Sequence, residues 1–242
     1  DDTDLNEGGD GIDTVEVNGG NGTEVFTATA NGTRVRFDRL SPAHDQSAAR
    51  YHNAAESDVD AAVAAARREF DSGAWPRTSG AERAAALRRV AARIEAERDD
   101  LALQETLESG KPISQARDEI SSAAGIWFYA ATLAQHLYGD AHNGLGTGYL
   151  AMVLKEPVGV VGIITPWNFP LLIVSQKLPF ALAAGCTAVV KPSDMTPGTT
   201  TRLVQLLHEE GLPAGAVNLV HGGGDVGQWL AAHPGTDMTT FT

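Results

Sequence analysis

The chain has 242 residues, 43% of them hydrophobic and 20% charged, which suits one large or two modest domains and excludes a disordered or fibrous protein. Its net charge is −13, and eight of the 31 acidic residues but none of the 18 basic ones fall in residues 1–33, so nucleic acid and anionic membrane surfaces are excluded as partners by repulsion. The single cysteine, Cys186, excludes an intramolecular disulfide and a cysteine-cluster metal centre; no apolar run reaches the roughly 20 residues of a membrane span, and a cytoplasmic protein is expected. Four lysines stand against fourteen arginines, which with the acidity points to a salt-loving source.

In chain order, residues 1–24 read as an acidic, flexible leader, rich in Asp, Gly and Asn and poor in aromatics. Val25–Thr29 and Arg34–Phe37 flank Asn31-Gly32, a dipeptide that accepts positive φ, and predict a β-hairpin. Ser57-x-x-Asp60 predicts a helix start, with Val59, Val63, Ala66 and Phe70 at helical spacing, and Ser79-x-x-Glu82 predicts a second start ahead of Leu87, Val90, Ala91 and Ile94. A shorter helix runs to the stop Ser109-Gly110-Lys111-Pro112. A long one follows, whose stripe of Ile113, Ala116, Ile120, Trp127, Ala131 and Ala134 reads as core.

After Gly139 the pattern turns to strands. Tyr149–Leu154 and Val158–Ile164 read as strands, then come a helix over Pro170–Ala184 closed by Gly185, a strand over Thr187–Val190 and a helix between Pro197 and Gly211. A strand over Val217–Val220, a short helix near Gly227–Ala232 and a strand start at Met238–Thr242 complete the sequence. This alternation predicts an α/β doubly wound parallel sheet. The expected organisation is a leader (1–24), a hairpin and helical portion (25–138) and a βαβ dinucleotide-binding portion (139–242), with both ends looking cut.

Chemistry concentrates in Glu156-Pro-Val-Gly-Val-Val-Gly-Ile-Ile-Thr-Pro-Trp-Asn-Phe-Pro170, where a buried strand delivers Thr165-Pro166-Trp167-Asn168 to its carboxyl end, the ligand-binding end of open α/β sheets. On residue type alone Asn168 is a helix cap or a free amide donor, and the cap is the simpler reading. Gly222-Gly223-Gly224-x-x-Gly227 is either a phosphate loop or an ordinary turn. The seven histidines show no metal-ligand spacing, so no metal site is expected.

The Pro-Trp-Asn-Phe-Pro segment resembles the signature of the NAD(P)-dependent aldehyde dehydrogenase superfamily. Lys177–Asp194 and Gly211–Gly224 resemble the segments that follow it there, Phe241-Thr242 resembles the opening of a Phe-Thr-Gly-Ser turn, and the likeness covers about residues 38–242. It implies an oxidoreductase taking an aldehyde to its acid with NAD, as a homo-oligomer when complete. Asn168 is then the oxyanion-hole amide. Pro166 and Trp167 then lie beside the nicotinamide, Lys191 and Asp194 at the adenine ribose, and Gly222, Gly224 and Gly227 at the phosphates, with Ile164, Thr165 and Ser193 also among the cofactor-binding residues. Asp194 stands where a Glu is usual; a carboxylate there repels a 2′-phosphate, so NAD is favoured over NADP. The family's nucleophilic cysteine and general-base glutamate fall beyond Thr242, and Cys186, in Ala-Ala-Gly-Cys-Thr-Ala, does not stand in for the former. The chain alone is expected to be inactive, with a non-catalytic remnant or one chain of a split protein as the alternative.

Overall fold

The computed structural model describes residues 51–242 in full and residues 13–18, 23–31 and 34–40 as backbone strands. The chain forms two compact units, Asp1–Arg50 and Tyr51–Thr242. In the first, β1 (Asp13–Asn18), β2 (Thr23–Asn31) and β3 (Arg34–Leu40) make an antiparallel meander in that order. The β2–β3 hairpin is the expected one, and Asn31 pairs with Arg34 across it. β1 falls within the stretch read as a leader: Thr14-Val15-Glu16-Val17 alternates as a strand does, and β2 offers it a full ladder of backbone partners. Apart from Thr23 and Glu24 at the start of β2, the rest of the proposed leader lies outside the described residues.

The second unit opens with α1 (Glu56–Ser72) and, after a 3₁₀ turn at Trp75–Arg77, continues with α2 (Gly80–Ala96), α3 (Arg98–Ser109) and α4 (Ile113–Ala134). Ser79 caps α2 as expected: its Oγ accepts from Glu82 N at 3.2 Å while Glu82 Oε2 accepts from Ser79 N at 2.9 Å. α1 is instead capped at Ala55, two residues earlier than Ser57 would set it, because the Asp58 carboxylate accepts from Ala55 N at 2.8 Å. Gly110, at a φ of 75°, closes α3 in the left-handed conformation that glycine adopts freely.

The short strands β4 (Asp140–His142) and β5 (Ala151–Val153) form an exposed antiparallel pair, so the segment read as a strand over Tyr149–Leu154 stays out of the main sheet. The main sheet holds β6 (Val160–Ile164), β7 (Thr187–Lys191), β8 (Val217–Leu219) and β9 (Met238–Phe241), all parallel, in the order β8-β7-β6-β9. Connecting them are α5 (Pro170–Ser175), α6 (Leu178–Ala184), α7 (Gly198–Glu209) and α8 (Gly224–Ala232). The single helix expected over Pro170–Ala184 is therefore two. The break falls at Gln176-Lys177, where Lys177 leaves helical geometry (φ −126°) and the next helix begins at Leu178 with Pro179, which has no N–H, in its first turn.

Alternation along the strands sorts the core by face. Val161, Ile163, Ala188 and Val190 pack with α2 through α7, including Leu87, Leu101, Trp127, Leu182 and Leu206, while Val160, Val189 and Val220 pack under α1 and α8 through Val59, Val63, Val226 and Leu230. The helical segment and the sheet thus share one core. α1 is fastened to the sheet by Thr187 Oγ1, which donates to Ala66 O at 3.0 Å, and by Arg67, which donates to Gly235 O at 2.8 Å and pairs with Asp237. Asp237 in turn accepts from Val160 N at 2.7 Å, tying the entry of β9 to that of β6.

Candidate functional site

β7 and β9 lie on opposite sides of β6, so the chain reverses its winding there, and open α/β sheets bind ligands beyond the carboxyl ends of the strands at such a switch point. Immediately past β6 comes Thr165-Pro166-Trp167-Asn168. Thr165 N donates to Lys191 O at 3.1 Å and Thr196 Oγ1 donates to Trp167 O at 3.1 Å, so the loops after β6 and β7 are fastened to each other. Trp167 is 49% exposed, and Asn168 is exposed beside it. The capping alternative for Asn168 is not realised: Phe169 holds the N-cap position of α5, and its side chain makes no capping bond.

Lys191 ends β7 and is 5% exposed, its stem lying along α8 and its Nζ donating to Pro192 O at 2.9 Å. Burial pushes its ammonium below the ordinary lysine range, against the pull of Asp194 and Asp225. Ser193 is half-buried and accepts from Met195 N at 3.2 Å, whereas Asp194 is exposed. At the end of β8, the His221 ring packs on Tyr51 with centroids 4.8 Å apart, and its Nε2 lies 3.4 Å from Thr201 Oγ1. Burial, with the Lys191 charge second, holds this imidazole below its usual range.

The glycine run after β8 divides by role. Gly222, buried at a φ of 148°, makes the turn, and a Cβ there would collide with Val226. Gly227 is buried in α8, facing the Lys191 stem and Ile164, where a Cβ would make ordinary contacts at 3.6 to 3.8 Å. Gly222 and Gly227 are thus both buried, and the exposed part of the turn is Gly224 and Asp225. No side chain caps α8 at Gly223.

Three buried charges escaped the sequence reading. Glu105 is fully buried, Lys111 and Glu119 have side chains 8% exposed, and the Lys111 ammonium lies 3.3 Å from Glu105 Oε2 and pairs with Glu119. The signal was available: Glu119 interrupts the inward stripe between Ala116 and Ala123, where an acid needs a partner. Glu108, half-buried, accepts from Gly198 N at 3.0 and 3.1 Å. Burial, only partly offset by that amide, pushes its pKa up to about 7.

The residues present suit a dinucleotide. A lysine and a carboxylate stand at the end of β7, α8 begins without a side-chain cap, and Thr165 Oγ1 is buried without a partner just past β6. Fold and switch point define the class, a doubly wound parallel-sheet domain of the dinucleotide-binding kind. The chain belongs to the aldehyde dehydrogenase family, whose profile matches residues 28–242. It is 41% identical over 208 residues to aminoacetaldehyde dehydrogenase of Pseudomonas aeruginosa and 42% identical over 214 residues to betaine aldehyde dehydrogenase 1 of Oryza sativa subsp. japonica. These matches take in 85% and 86% of the chain but 42% of each relative, so the chain spans about two fifths of their length. Among solved structures, an NAD-dependent aldehyde dehydrogenase from Sinorhizobium meliloti superposes with a TM-score of 0.77 at 54% identity, over 78% of this chain and 38% of that one. Betaine aldehyde dehydrogenase from Staphylococcus aureus in complex with NAD+ gives 0.76 at 38% identity, over the same shares of the two chains. No helix among the described residues is long and apolar enough to cross a membrane.

Proposed function

We propose that this chain forms the cofactor-binding half of an NAD-dependent aldehyde dehydrogenase that oxidises an aldehyde to its carboxylic acid through a cysteine thioester. The observation that carries the reading is the fastening of the Trp167-Asn168 loop to the Lys191–Asp194 loop across the switch point. Bound NAD+ supplies the hydride acceptor. Asn168 donates its amide hydrogen to the aldehyde oxygen as charge builds there. Lys191 donates to the ribose hydroxyls and Asp194 accepts from them, with Ser193 beside them, while Asp194 repels a 2′-phosphate. Ile164, Thr165, Pro166 and Trp167 flank the nicotinamide side, and Gly224 lies toward the phosphates.

The nucleophile is not Cys186, which is buried at the amino end of β7, roughly 15 Å of strand away from the Lys191 end. Relatives named for aminoacetaldehyde and betaine aldehyde make an amine- or ammonium-bearing aldehyde the first class to test. Exposed Tyr149, Leu150, Met152 and Leu154 around the β4–β5 pair support a homo-oligomer.

Calorimetric titration tests the reading. Charge-assisted hydrogen bonds contribute about 1.5–3 kcal/mol, so Lys191→Met should weaken NAD binding by about tenfold to a hundredfold, and Asp194→Ser should narrow the preference for NAD over NADP. The chain alone should form no NADH from aldehydes. Equal affinity of the unmutated chain for NAD and NADP would sink the role of Asp194.

A further inference from the structure

We infer that Glu105 and Lys111 are positioning residues for the Trp167-Asn168 loop, acting through the Leu171 amide and the Phe169 ring. The inference rests on the roles proposed above for Trp167 and Asn168.

A buried cluster of two carboxylates and one ammonium is costly to form, and well-packed apolar side chains of the same volume often serve stability as well or better. If the cluster only stapled α3 to α4, its contacts would end on those helices. Two of them do not. Glu105 Oε1 accepts from Leu171 N at 3.0 Å, 66 residues along the chain, and Lys111 Nζ sits 4.9 Å from the centroid of the Phe169 ring. Glu119 completes the arrangement from α4: it pairs with Lys111, and its other oxygen accepts from Gln115 Nε2 at 2.8 Å.

Phe169 and Leu171 flank Pro170, directly after Asn168. Pro170 has no N–H and the side chain of the N-cap residue Phe169 offers no acceptor, so Leu171 carries the first N–H donor of that helix, and the Glu105 carboxylate satisfies it. Asn168 is thereby bracketed. Upstream, Trp167 O is held by Thr196 Oγ1; downstream, Leu171 N is held by Glu105 and Phe169 faces Lys111. A donor aimed at a reacting oxygen loses effect with displacements well under about 1 Å, and rigid bracketing supplies the placement.

The test uses amide exchange by NMR on the full chain, together with the ¹⁹F line of 5-fluorotryptophan at Trp167, assigned with Trp167→Phe. Glu105→Leu leaves Lys111 and Glu119 as a balanced pair, so the fold should persist. Exchange at Leu171 should rise about tenfold or more, as expected for loss of a charge-assisted hydrogen bond, and the Trp167 line should move, while exchange at Val189 and Val190 in β7 stays as in the unmutated chain. Glu105→Gln, which keeps an acceptor for Leu171, should bring that exchange back to within a few-fold. Adding NAD should shift the Trp167 line in the unmutated chain and shift it less in Glu105→Leu. Exchange at Leu171 and a Trp167 line both unchanged in Glu105→Leu, or exchange raised equally across β7, would overturn the inference. No NAD-induced shift in the unmutated chain would instead overturn the proposed function, leaving the ligand-free exchange result to stand by itself. Should Glu105→Leu fail to fold, Phe169→Leu removes only the ring facing Lys111, and an unmoved Trp167 line in that variant overturns the inference.

Discussion

Replacing Trp127 with Ala is expected to lower the stability of the chain by about 3–5 kcal/mol, the range for deleting a fully buried large aromatic. Trp127 is fully buried midway along α4, and its Nε1 donates to Ser175 Oγ at 3.0 Å, at the end of α5. The loss has two parts that a second variant separates. Trp127→Phe keeps much of the apolar volume but strands the fully buried Ser175 hydroxyl, at a cost of about 1–3 kcal/mol, and adding Ser175→Ala to it should restore part of that loss. Urea denaturation followed by circular dichroism measures all three. A loss below about 1 kcal/mol for Trp127→Ala would mean that α4 does not support α5, and with it the chain leading back to Asn168, in the way the contacts imply.

Trp127 illustrates what could be read in advance. Its place in the stripe Ala116, Ile120, Trp127, Ala131, Ala134 marked it as core from spacing alone, and the capping box at Ser79 and the stops at Gly110 and Gly185 were equally local. The position of Asn168 and Lys191 at strand ends followed from strand–helix alternation and needed no contact information. The break at Gln176-Lys177 was hidden because the apolar residues on either side of it continue as if one helix ran through, so only the backbone reveals it. β1 was hidden by a composition that looks unfit to fold alone, since a strand's backbone bonds come from its partner. The bracketing of Asn168 was hidden for a third reason. Glu105, Lys111 and Leu171 are joined only by tertiary contact, although an acid inside an apolar stripe, as Glu119 is, announces that a buried partner exists.

Glu108 should make the chain lose stability as pH rises from about 5 to 8. Burial lifts its carboxyl to about 7 in the folded chain, with the Gly198 amide opposing and Glu105 adding a smaller push, against a reference value of 4.5 for the unfolded one. Between those two values the folded state holds the proton more tightly than the unfolded state. The stabilisation is complete below about pH 4.5 and is lost as pH climbs through about 7, which amounts to roughly 3 kcal/mol at about 1.4 kcal/mol per pKa unit. Other groups do not mask it in this window. Glu97 is held down to about 2 by Arg202 and Arg93 and has finished titrating, and Asp237, whose burial is outweighed by Val160 N and Arg67, lies below its usual value as well. Glu105 is raised by burial and slopes the same way as Glu108, whereas His221, lowered by burial and by Lys191, slopes the opposite way up to about pH 6.5. The comparison with Glu108→Gln cancels both. Its amide oxygen still accepts from Gly198 N, so the start of α7 stays fastened, but nothing at that position titrates. Thermal melts across this range should show the unmutated chain falling by about 6–12 °C relative to Glu108→Gln, the shift expected for that free energy in a domain of this size. Parallel pH profiles for the two proteins would show that Glu108 titrates as a solvated carboxylate and that the N-terminus of α7 is held by something else.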